Sequence, residues 1–282
     1  MMLRDKIGFL LLGLLMPLAV CAQTTFLPQD STTIVTLLKK APKEAGTLWF
    51  ARQFLGRPYV AHTLEVNDRE QLVVNTRQLD CTTLVETVVA LTLCHRQGKQ
   101  QWENYLTTLR QLRYRQGVLT DYASRLHYFS DWIDDKERMS FVKEIKDSVP
   151  PFTAVQLLDI HFMSEHPQLY KALKAHQELV KTIRQKEVAL TGREYRYIPQ
   201  SAVCNSKLMR QTIHDGDIIA ITTNKKGLDI AHLGFAVWRK DGLHLLNASM
   251  LRKKVVEEPL TLSQYLKKHP SHTGIRVIRV KN

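Results

Sequence analysis

The 282-residue sequence has few glycines and few cysteines, and it lacks several arrangements that would reveal a function directly. None of its 12 glycines lies two residues from another, so it holds no GxGxxG loop for a dinucleotide, and it holds no GxxxxGK loop for a nucleoside triphosphate. Four cysteines are too few for a disulfide-stapled scaffold. No internal repeat or low-complexity tract occurs, and no run of lysine and arginine reaches five residues.

The composition still supports a folded protein. Hydrophobic residues make up 44% of the chain and charged residues 24%, a balance that can form a core and excludes disorder as the main state. The formal net charge is +13, which suits nucleic acid, an anionic membrane or an acidic substrate as partner. Because the basic residues are scattered in short groups, we interpret them as solvated surface and expect no nucleic-acid partner.

The N-terminus has the order of a secretory signal peptide. Basic residues precede an apolar run over residues 7–20, and Cys21 and Ala22 follow it. The apolar run is too short to cross a bilayer as a stable helix. We therefore assign residues 1–22 to a signal peptide cleaved after Ala22, and expect an exported, periplasmic protein that is not stably inserted in the membrane. In the alternative, Cys21 is retained as a lipid anchor.

Patterning beyond the signal peptide predicts one continuous domain over residues 23–282. Asp80-Cys81-Thr82-Thr83 leads into an apolar helix that ends near Arg96, and Thr83 with Glu86 has the spacing of a capping box. Residues 101–200 repeat apolar side chains at helical spacing, so we expect a helical elaboration there. Helices followed by an antiparallel sheet predict an α+β fold, with helices packed on a central sheet. The strand candidates are residues 218–221, 231–238, 243–249 and 275–280.

Cys81 is the candidate nucleophile. At the predicted start of a helix, a thiol experiences the positive end of the peptide dipoles, which favours the thiolate. Cys94 lies about 20 Å further along the same predicted helix, out of disulfide reach and within an apolar stripe, so we interpret it as a buried core residue. Once Cys21 is removed, Cys81, Cys94 and Cys204 form an odd set, and at least one thiol has no partner within the chain.

His232 and Asn247 are the candidates that would complete a nucleophilic site. His232 lies in an apolar strand segment, where an imidazole could take and return the proton of a thiol. Asn247 lies on the next strand and could hold the far imidazole nitrogen without adding charge. A tight turn at Asp241-Gly242 would offset the two by about 13 Å, at about 3.3 Å per residue. We therefore expect a wider loop or a bulge that brings Asn247 opposite His232.

Together these segments resemble a known family. Asp80-Cys81-Thr82-Thr83, Ala231-His232-Leu233-Gly234-Phe235 and Asn247-Ala248-Ser249 are similar to the three blocks of the NlpC-type, papain-like cell-wall cysteine hydrolases. The segments from Asp80 to Glu86 and from Ser124 to Trp132 resemble, more narrowly, the N-acetylmuramoyl-L-alanine amidase branch. The resemblance implies a papain-like fold for residues 23–282, with nucleophile, base and orienting residue at Cys81, His232 and Asn247.

The resemblance also implies an activity that needs no cofactor. The implied reaction is hydrolysis of the amide between N-acetylmuramic acid and L-alanine in peptidoglycan fragments, above all those with a 1,6-anhydro sugar, during cell-wall recycling. For such muropeptides an aromatic face suits the sugar ring, an arginine suits a peptide carboxylate, and an aspartate suits an amine or hydroxyl. The candidate substrate-binding residues are Tyr59, Asp80, Thr82, Arg125, Tyr128, Asp131 and Trp132, of which Asp80 is also a helix-cap candidate.

Three alternatives stay open at this point. The same three residues could cleave the γ-D-glutamyl–diaminopimelate bond instead. The basic chain could bind cell-wall material without catalysis, although an intact set of Cys81, His232 and Asn247 favours an enzyme. The segment from His161 to His166 comes near to a zinc motif, but it lacks the HExxH spacing and Pro167 follows it, so we expect no metal site. The sequence predicts no oligomeric state.

Overall fold

A computed structural model describes residues 24–147 and 149–281. The expected signal peptide, and Cys21 with it, therefore lie outside the described residues. Among the residues described, no helix combines the length and the apolar character that a bilayer crossing requires.

The helices occupy mainly the first two thirds of the described chain. They are α1 (Pro28–Lys40), α2 (Thr47–Arg52), α3 (Cys81–Arg96), α4 (Trp102–Arg113), α5 (Phe129–Arg138), α6 (Phe162–Glu165), α7 (Lys171–Ala175), α8 (Glu178–Leu190), α9 (Lys207–Thr212) and α10 (Leu262–Lys267). Short 3-10 turns lie at Arg115–Gly117, Tyr122–Ser124, Pro167–Leu169 and Gln200–Ala202.

The strands form one large antiparallel sheet and one small parallel pair. They are β1 (Thr24–Thr25), β2 (Leu72–Val73), β3 (Val142–Ile145), β4 (Ala154–Leu157), β5 (Glu194–Pro199), β6 (Ile218–Thr223), β7 (Ile230–Trp238), β8 (Leu243–Ser249), β9 (Lys254–Glu257) and β10 (His272–Val280). The 8-stranded sheet has the order β4-β5-β10-β6-β7-β8-β9, and β3 also pairs with β10. Strands β6, β7, β8 and β10 confirm the four predicted β-prone runs, and the α+β class is confirmed.

The central strands are buried on both faces because their side chains alternate between two apolar clusters. One face of the sheet packs on α3, whose residues from Thr83 to Cys94 are all buried, as is typical of a helix that is apolar on all sides. The opposite face packs on α9 and α10. Helix α3 therefore lies against the face of the sheet to which β7 contributes Leu233 and β8 contributes Leu246.

The region predicted as a helical elaboration, residues 101–200, also contributes strands. Helices α4 to α8 lie within it, but β3, β4 and β5 pair with β10 or with each other and extend the main sheet. Strands β3 and β4 are only four residues long, and β4 alternates between half-buried and exposed side chains. Such short, partly polar edge strands leave little periodic signal in a sequence.

Candidate active site

The start of α3 is fixed by Asp80. Its Oδ1 accepts the Thr83 backbone N–H at 2.7 Å, and the Thr83 hydroxyl accepts the Asp80 backbone N–H at 2.9 Å. This reciprocal capping box differs from the predicted one, because Glu86 lies one turn further into the helix and pairs with Arg113 at 2.7 Å in the core. Asp80 is thus the helix cap, and Cys81 is the first helical residue.

Cys81 lies at the edge of a small pocket of about 180 Å³. Cys81 as a residue is partly exposed, whereas Cys94 is buried and Cys204 is exposed, and all three are free. His232 and Thr82, two of the other predicted site residues, line the same pocket. The complete lining is Cys81, Thr82, His127, Tyr128, Phe129, Met163, Tyr170, Leu228, Asp229, Ile230, Ala231, His232 and Leu233.

The surroundings of Cys81 favour the thiol over the thiolate. Burial, together with the charge of Asp80, raises the pKa of the Cys81 thiol to about 12, although hydrogen bonds from Leu233 and Thr82 act in the opposite direction. This corrects the sequence-based expectation that the helix start would favour the thiolate. The resting group is therefore a neutral thiol that has to lose its proton before it can react.

The hairpin of β7 and β8 is wider than a two-residue turn, as predicted, but its register differs from the expected one. Trp238 pairs with Leu243, so residues 239–242 form the connection. Phe235 pairs with Leu246, and continuing this register places Asn247 two residues away from the position opposite His232, on the same face of the sheet. A diagonal pair at this spacing is within reach of long side chains.

His232 and Asn247 are hydrogen-bonded. The His232 Nε2 lies 3.0 Å from the Asn247 Oδ1, and because a carboxamide oxygen only accepts, Nε2 carries the hydrogen and Nδ1 is left as the basic nitrogen. Burial lowers the pKa of His232, and the hydrogen bond to Asn247 partly opposes that shift. Asn247 is fully buried. The imidazole is therefore neutral at neutral pH, with Nδ1 as the ring nitrogen that can accept a proton.

Tyr59 lies beside this site. Its backbone N–H donates to the Lys253 carbonyl at 2.9 Å, which ties the segment before β2 to the turn between β8 and β9. Burial raises the pKa of the Tyr59 phenol to about 12, and the nearby Cys81 and Asp80 contribute to this rise. Tyr59 thus stays a neutral hydrogen-bond donor close to the thiol.

Tyr128 lines the pocket with its ring, but its hydroxyl is engaged elsewhere. The hydroxyl donates to Glu187 Oε1 at 2.7 Å, and the same carboxylate oxygen accepts the backbone N–H groups of Met163 and Ser164 at 3.0 and 3.1 Å. Glu187 is fully buried. Tyr128 can therefore offer an aromatic surface to a ligand, while its polar end joins α5, α6 and α8.

Arg125 is bound to Glu70 and does not line the Cys81 pocket. Its Nε and Nη2 donate to the two Glu70 carboxylate oxygens at 3.1 and 2.6 Å. The pair lies on the wall of a larger cavity of about 530 Å³, which includes neither Cys81 nor His232. Tyr122, on that wall, contacts the ring of His127 at 4.4 Å between centroids, so the two cavities are neighbours.

Asp131 and Trp132 are placed away from Cys81 as well. Asp131 pairs with Arg115 in a separate depression that Lys186 also lines. Trp132 has no exposed surface and stacks on Phe129 in the core. Of the predicted binding residues, the structure brings Thr82 and the ring of Tyr128 into the pocket, with Asp80 and Tyr59 beside it.

Asp229 is a pocket residue that sequence reasoning missed. It is buried, lines the pocket three residues before His232, and its Oδ2 accepts the Ser130 backbone N–H at 2.6 Å at the start of α5. An acidic residue just before the strand of a candidate histidine is a signal that could have been noticed. Among the described residues, no group of three or more histidine, cysteine, aspartate or glutamate side chains could hold a metal ion.

Comparison with known proteins gives this geometry a context. Residues 49–275 match the AmiA-like family, which is described as N-acetylmuramoyl-L-alanine amidase-like. The chain belongs to this family. The match spans α3, β7 and β8, so it includes Cys81, His232 and Asn247. No curated protein matches the chain.

Solved structures similar to this AmiA-like chain cover most of its length. An N-acetylmuramoyl-L-alanine amidase from Bacteroides uniformis is 43% identical, with a TM-score of 0.78 over 84% of this chain and 97% of its own. A Bacteroides fragilis protein that carries the provisional name xylanase is also 43% identical, with a TM-score of 0.77 over 82% of this chain and 99% of its own. A Legionella pneumophila protein with 23% identity and a TM-score of 0.70, covering 94% of this chain and 97% of its own, shows the fold alone.

Proposed function

We propose that this AmiA-like protein is a cysteine-dependent N-acetylmuramoyl-L-alanine amidase that acts on muropeptides. The observation that carries the proposal is one pocket lined by both the Cys81 thiol and a His232 imidazole whose tautomer is held by Asn247. The amidase-like family and the similar amidase structure support the bond that is cleaved.

The first half of the reaction forms a thioester. His232 Nδ1 takes the thiol proton while Sγ forms a bond to the lactyl carbonyl carbon, since both groups start neutral. The Cys81 backbone N–H, at the first position of α3, has no carbonyl partner within the helix and favours the developing oxyanion. The carbon–nitrogen bond then breaks, and the imidazolium returns the proton to the leaving L-alanine amine.

The second half regenerates the enzyme. Water gives a proton to His232 Nδ1 while its oxygen bonds to the thioester carbon, the carbon–sulfur bond breaks, and the imidazolium returns that proton to the Cys81 sulfur. The carboxylic acid that is formed loses its own proton to solvent. The products are the muramic acid carboxylate and the Cys81 thiol. Because neutral His232 is the base in both halves, its lowered pKa keeps it competent below its usual titration range.

The walls of the pocket suit a muropeptide fragment. The rings of Tyr128 and Tyr170 and the side chain of Met163 give an apolar surface for a sugar or a stem peptide. A small pocket favours soluble fragments, including those with a 1,6-anhydro sugar, and hence a role in recycling. The two carboxylates at the pocket, Asp80 and Asp229, both accept helix N–H groups, which does not favour the carboxylate pair of a glycosidase.

The proposal includes the wider family and the place of action. Cys81 begins α3, which packs on the sheet, and His232 follows later in the chain on β7. This order supports an NlpC-type, papain-like fold for residues 23–282. The proposed signal peptide over residues 1–22 supports export to the periplasm, with retention of Cys21 as a lipid anchor as the alternative.

Mass spectrometry of products from defined muropeptides tests the reaction. Equal samples with and without the 1,6-anhydro sugar are incubated with the enzyme and with a Cys81→Ala control. We expect a free sugar acid and an intact stem peptide that begins with L-alanine, faster for the anhydro substrate. Release of an Ala-Glu end that is still attached to the sugar would instead show cleavage of the γ-D-glutamyl–diaminopimelate bond and overturn the amidase proposal.

A further inference from the structure

The side-chain amide of Asn247 works only in one of its two orientations. Its oxygen accepts the Nε2–H of His232 at 3.0 Å, and its nitrogen lies 3.5 Å from both the Leu245 carbonyl oxygen and Glu258 Oε1. A half-turn of the amide would set its nitrogen against Nε2 and its oxygen against two acceptors. His232 would then have to carry its hydrogen on Nδ1, where it could no longer accept the proton of Cys81.

Glu258 is well placed to decide that orientation. Glu258 is only 3% exposed, and its backbone forms two hydrogen bonds with residues of β8. The Glu258 N–H donates to the Leu245 carbonyl at 2.8 Å, and the Glu258 carbonyl accepts from His244 Nδ1 at 2.9 Å. The second carboxylate oxygen lies 3.5 Å from Arg252 Nε, so the carboxylate is held between a cation and the amide of Asn247.

A purely structural role explains this arrangement poorly. Arg252 is about half exposed, and an ion pair with an exposed partner contributes little to stability, typically below about 1 kcal/mol. So weak an ion pair does not explain why the Glu258 carboxylate is almost completely buried. Its contact with Asn247 supplies a reason, because an ionised carboxylate can only accept hydrogen bonds and therefore selects the amide nitrogen.

We propose that Glu258 is a positioning residue that holds the Asn247 amide so that His232 keeps the Nε2–H tautomer and presents Nδ1 to Cys81. The proposal rests on the cysteine mechanism proposed above, but it concerns a residue that does not touch the substrate. It extends the site from three residues to four and makes the fourth a charged one.

The isosteric variant Glu258→Gln tests the proposal directly. Arg252 favours the glutamine oxygen, so the glutamine NH₂ faces Asn247 and favours the turned amide, against the Leu245 carbonyl, which still favours the original orientation. We expect imidazole ¹⁵N NMR at pH 8 to show His232 moving towards the Nδ1–H tautomer, and kcat for a muropeptide to fall about 10-fold or more with little change in KM. Glu257→Gln is the matched control, since its carboxylate pairs with Arg52 and Arg239 instead and should leave both readouts unchanged.

A second change distinguishes positioning from stability. Asn247→Asp in the Glu258→Gln background offers an acceptor that has no wrong orientation, so we expect the double variant to recover the Nε2–H tautomer and part of kcat. It also keeps one carboxylate at the site if the single variant folds poorly. An unchanged tautomer and kcat in Glu258→Gln, or a double variant no better than the single one, would overturn the proposal. The tautomer needs no substrate, so it still decides the role of Glu258 if the wild type fails to cleave muropeptides.

Discussion

The two walls of the Cys81 pocket use their polar groups in different ways. On the wall built by α3, β7 and β8, the polar groups of His232 and Asn247 bond to each other beside the thiol. The second wall is built by residues 120–190 and includes the part of the neighbouring larger cavity that these residues line. Its polar ends are bonded to distant charged residues: Tyr128 in the pocket to Glu187, and Arg125 in the neighbouring cavity to Glu70. The first wall thus keeps its polar groups next to the thiol, as the proposed chemistry requires, whereas the second uses its polar groups to hold the fold together and leaves mainly apolar side chains at the pocket.

The largest expected effect belongs to the first wall. Cys81→Ala should reduce muropeptide turnover by about 10⁴-fold or more, because it removes the nucleophile while leaving the helix cap in place. Cys204→Ala, which removes an exposed thiol, is the control and should keep full activity. If turnover survives Cys81→Ala, the first wall does not take part in the reaction as proposed, and the two walls do not differ in function.

Arg125→Leu tests the second wall. It leaves the Glu70 carboxylate buried without its cation, and we expect the free energy of unfolding to fall by about 3–5 kcal/mol in urea titrations. The double variant with Glu70→Leu should recover part of that loss. If Arg125→Leu instead keeps its stability and raises KM, Arg125 is a substrate ligand, as the sequence pattern indicates, and the two walls are less distinct.

The protonation state of the first wall can be measured by alkylation. Because the pKa of the Cys81 thiol is raised to about 12, its reaction with iodoacetamide should accelerate about 100-fold between pH 7 and pH 9 as the thiolate fraction grows. Peptide mass spectrometry follows Cys81 and, in the same sample, the exposed Cys204 as a reagent control. A Cys81 rate that does not change over this range would indicate a preformed thiolate–imidazolium pair.

The smallest effect is expected at Asp131. Asp131→Asn weakens an ion pair with Arg115, whose side chain is 32% exposed, so we expect a loss of about 1 kcal/mol or less in stability and kcat/KM within twofold of wild type. Thermal unfolding and steady-state kinetics on the same preparation check both. A large loss of kcat/KM at unchanged stability would move Asp131 into the substrate site.

The first wall could be predicted from the sequence because its features are local. The start of α3 follows from a cap and an apolar run, and the strands follow from their alternation. His232 and Asn247 share a face of the sheet because side chains alternate along each strand of a hairpin, and an even offset between the two residues keeps them on the same side. The exact register of the hairpin could not be predicted, because the length of the loop over residues 239–242 depends on turn geometry.

The second wall could not be predicted because its partners lie far apart in the chain. Glu70 is 55 residues from Arg125, and Glu187 is 59 residues from Tyr128, so no local pattern links them. The pKa of Cys81 was mispredicted for a related reason. Burial by the surrounding chain outweighs the favourable helix start, and that burial depends on segments that only tertiary packing brings together.

The most direct test of the central claim is the mass of the acyl group on Cys81 during turnover. A muropeptide is mixed with enzyme, quenched in acid within milliseconds to seconds, and digested for peptide mass spectrometry. We expect a thioester on the Cys81 peptide whose added mass equals the N-acetylmuramoyl group without alanine. An adduct that contains alanine and glutamate, or turnover with no adduct on Cys81 under any quench time, would contradict the claim.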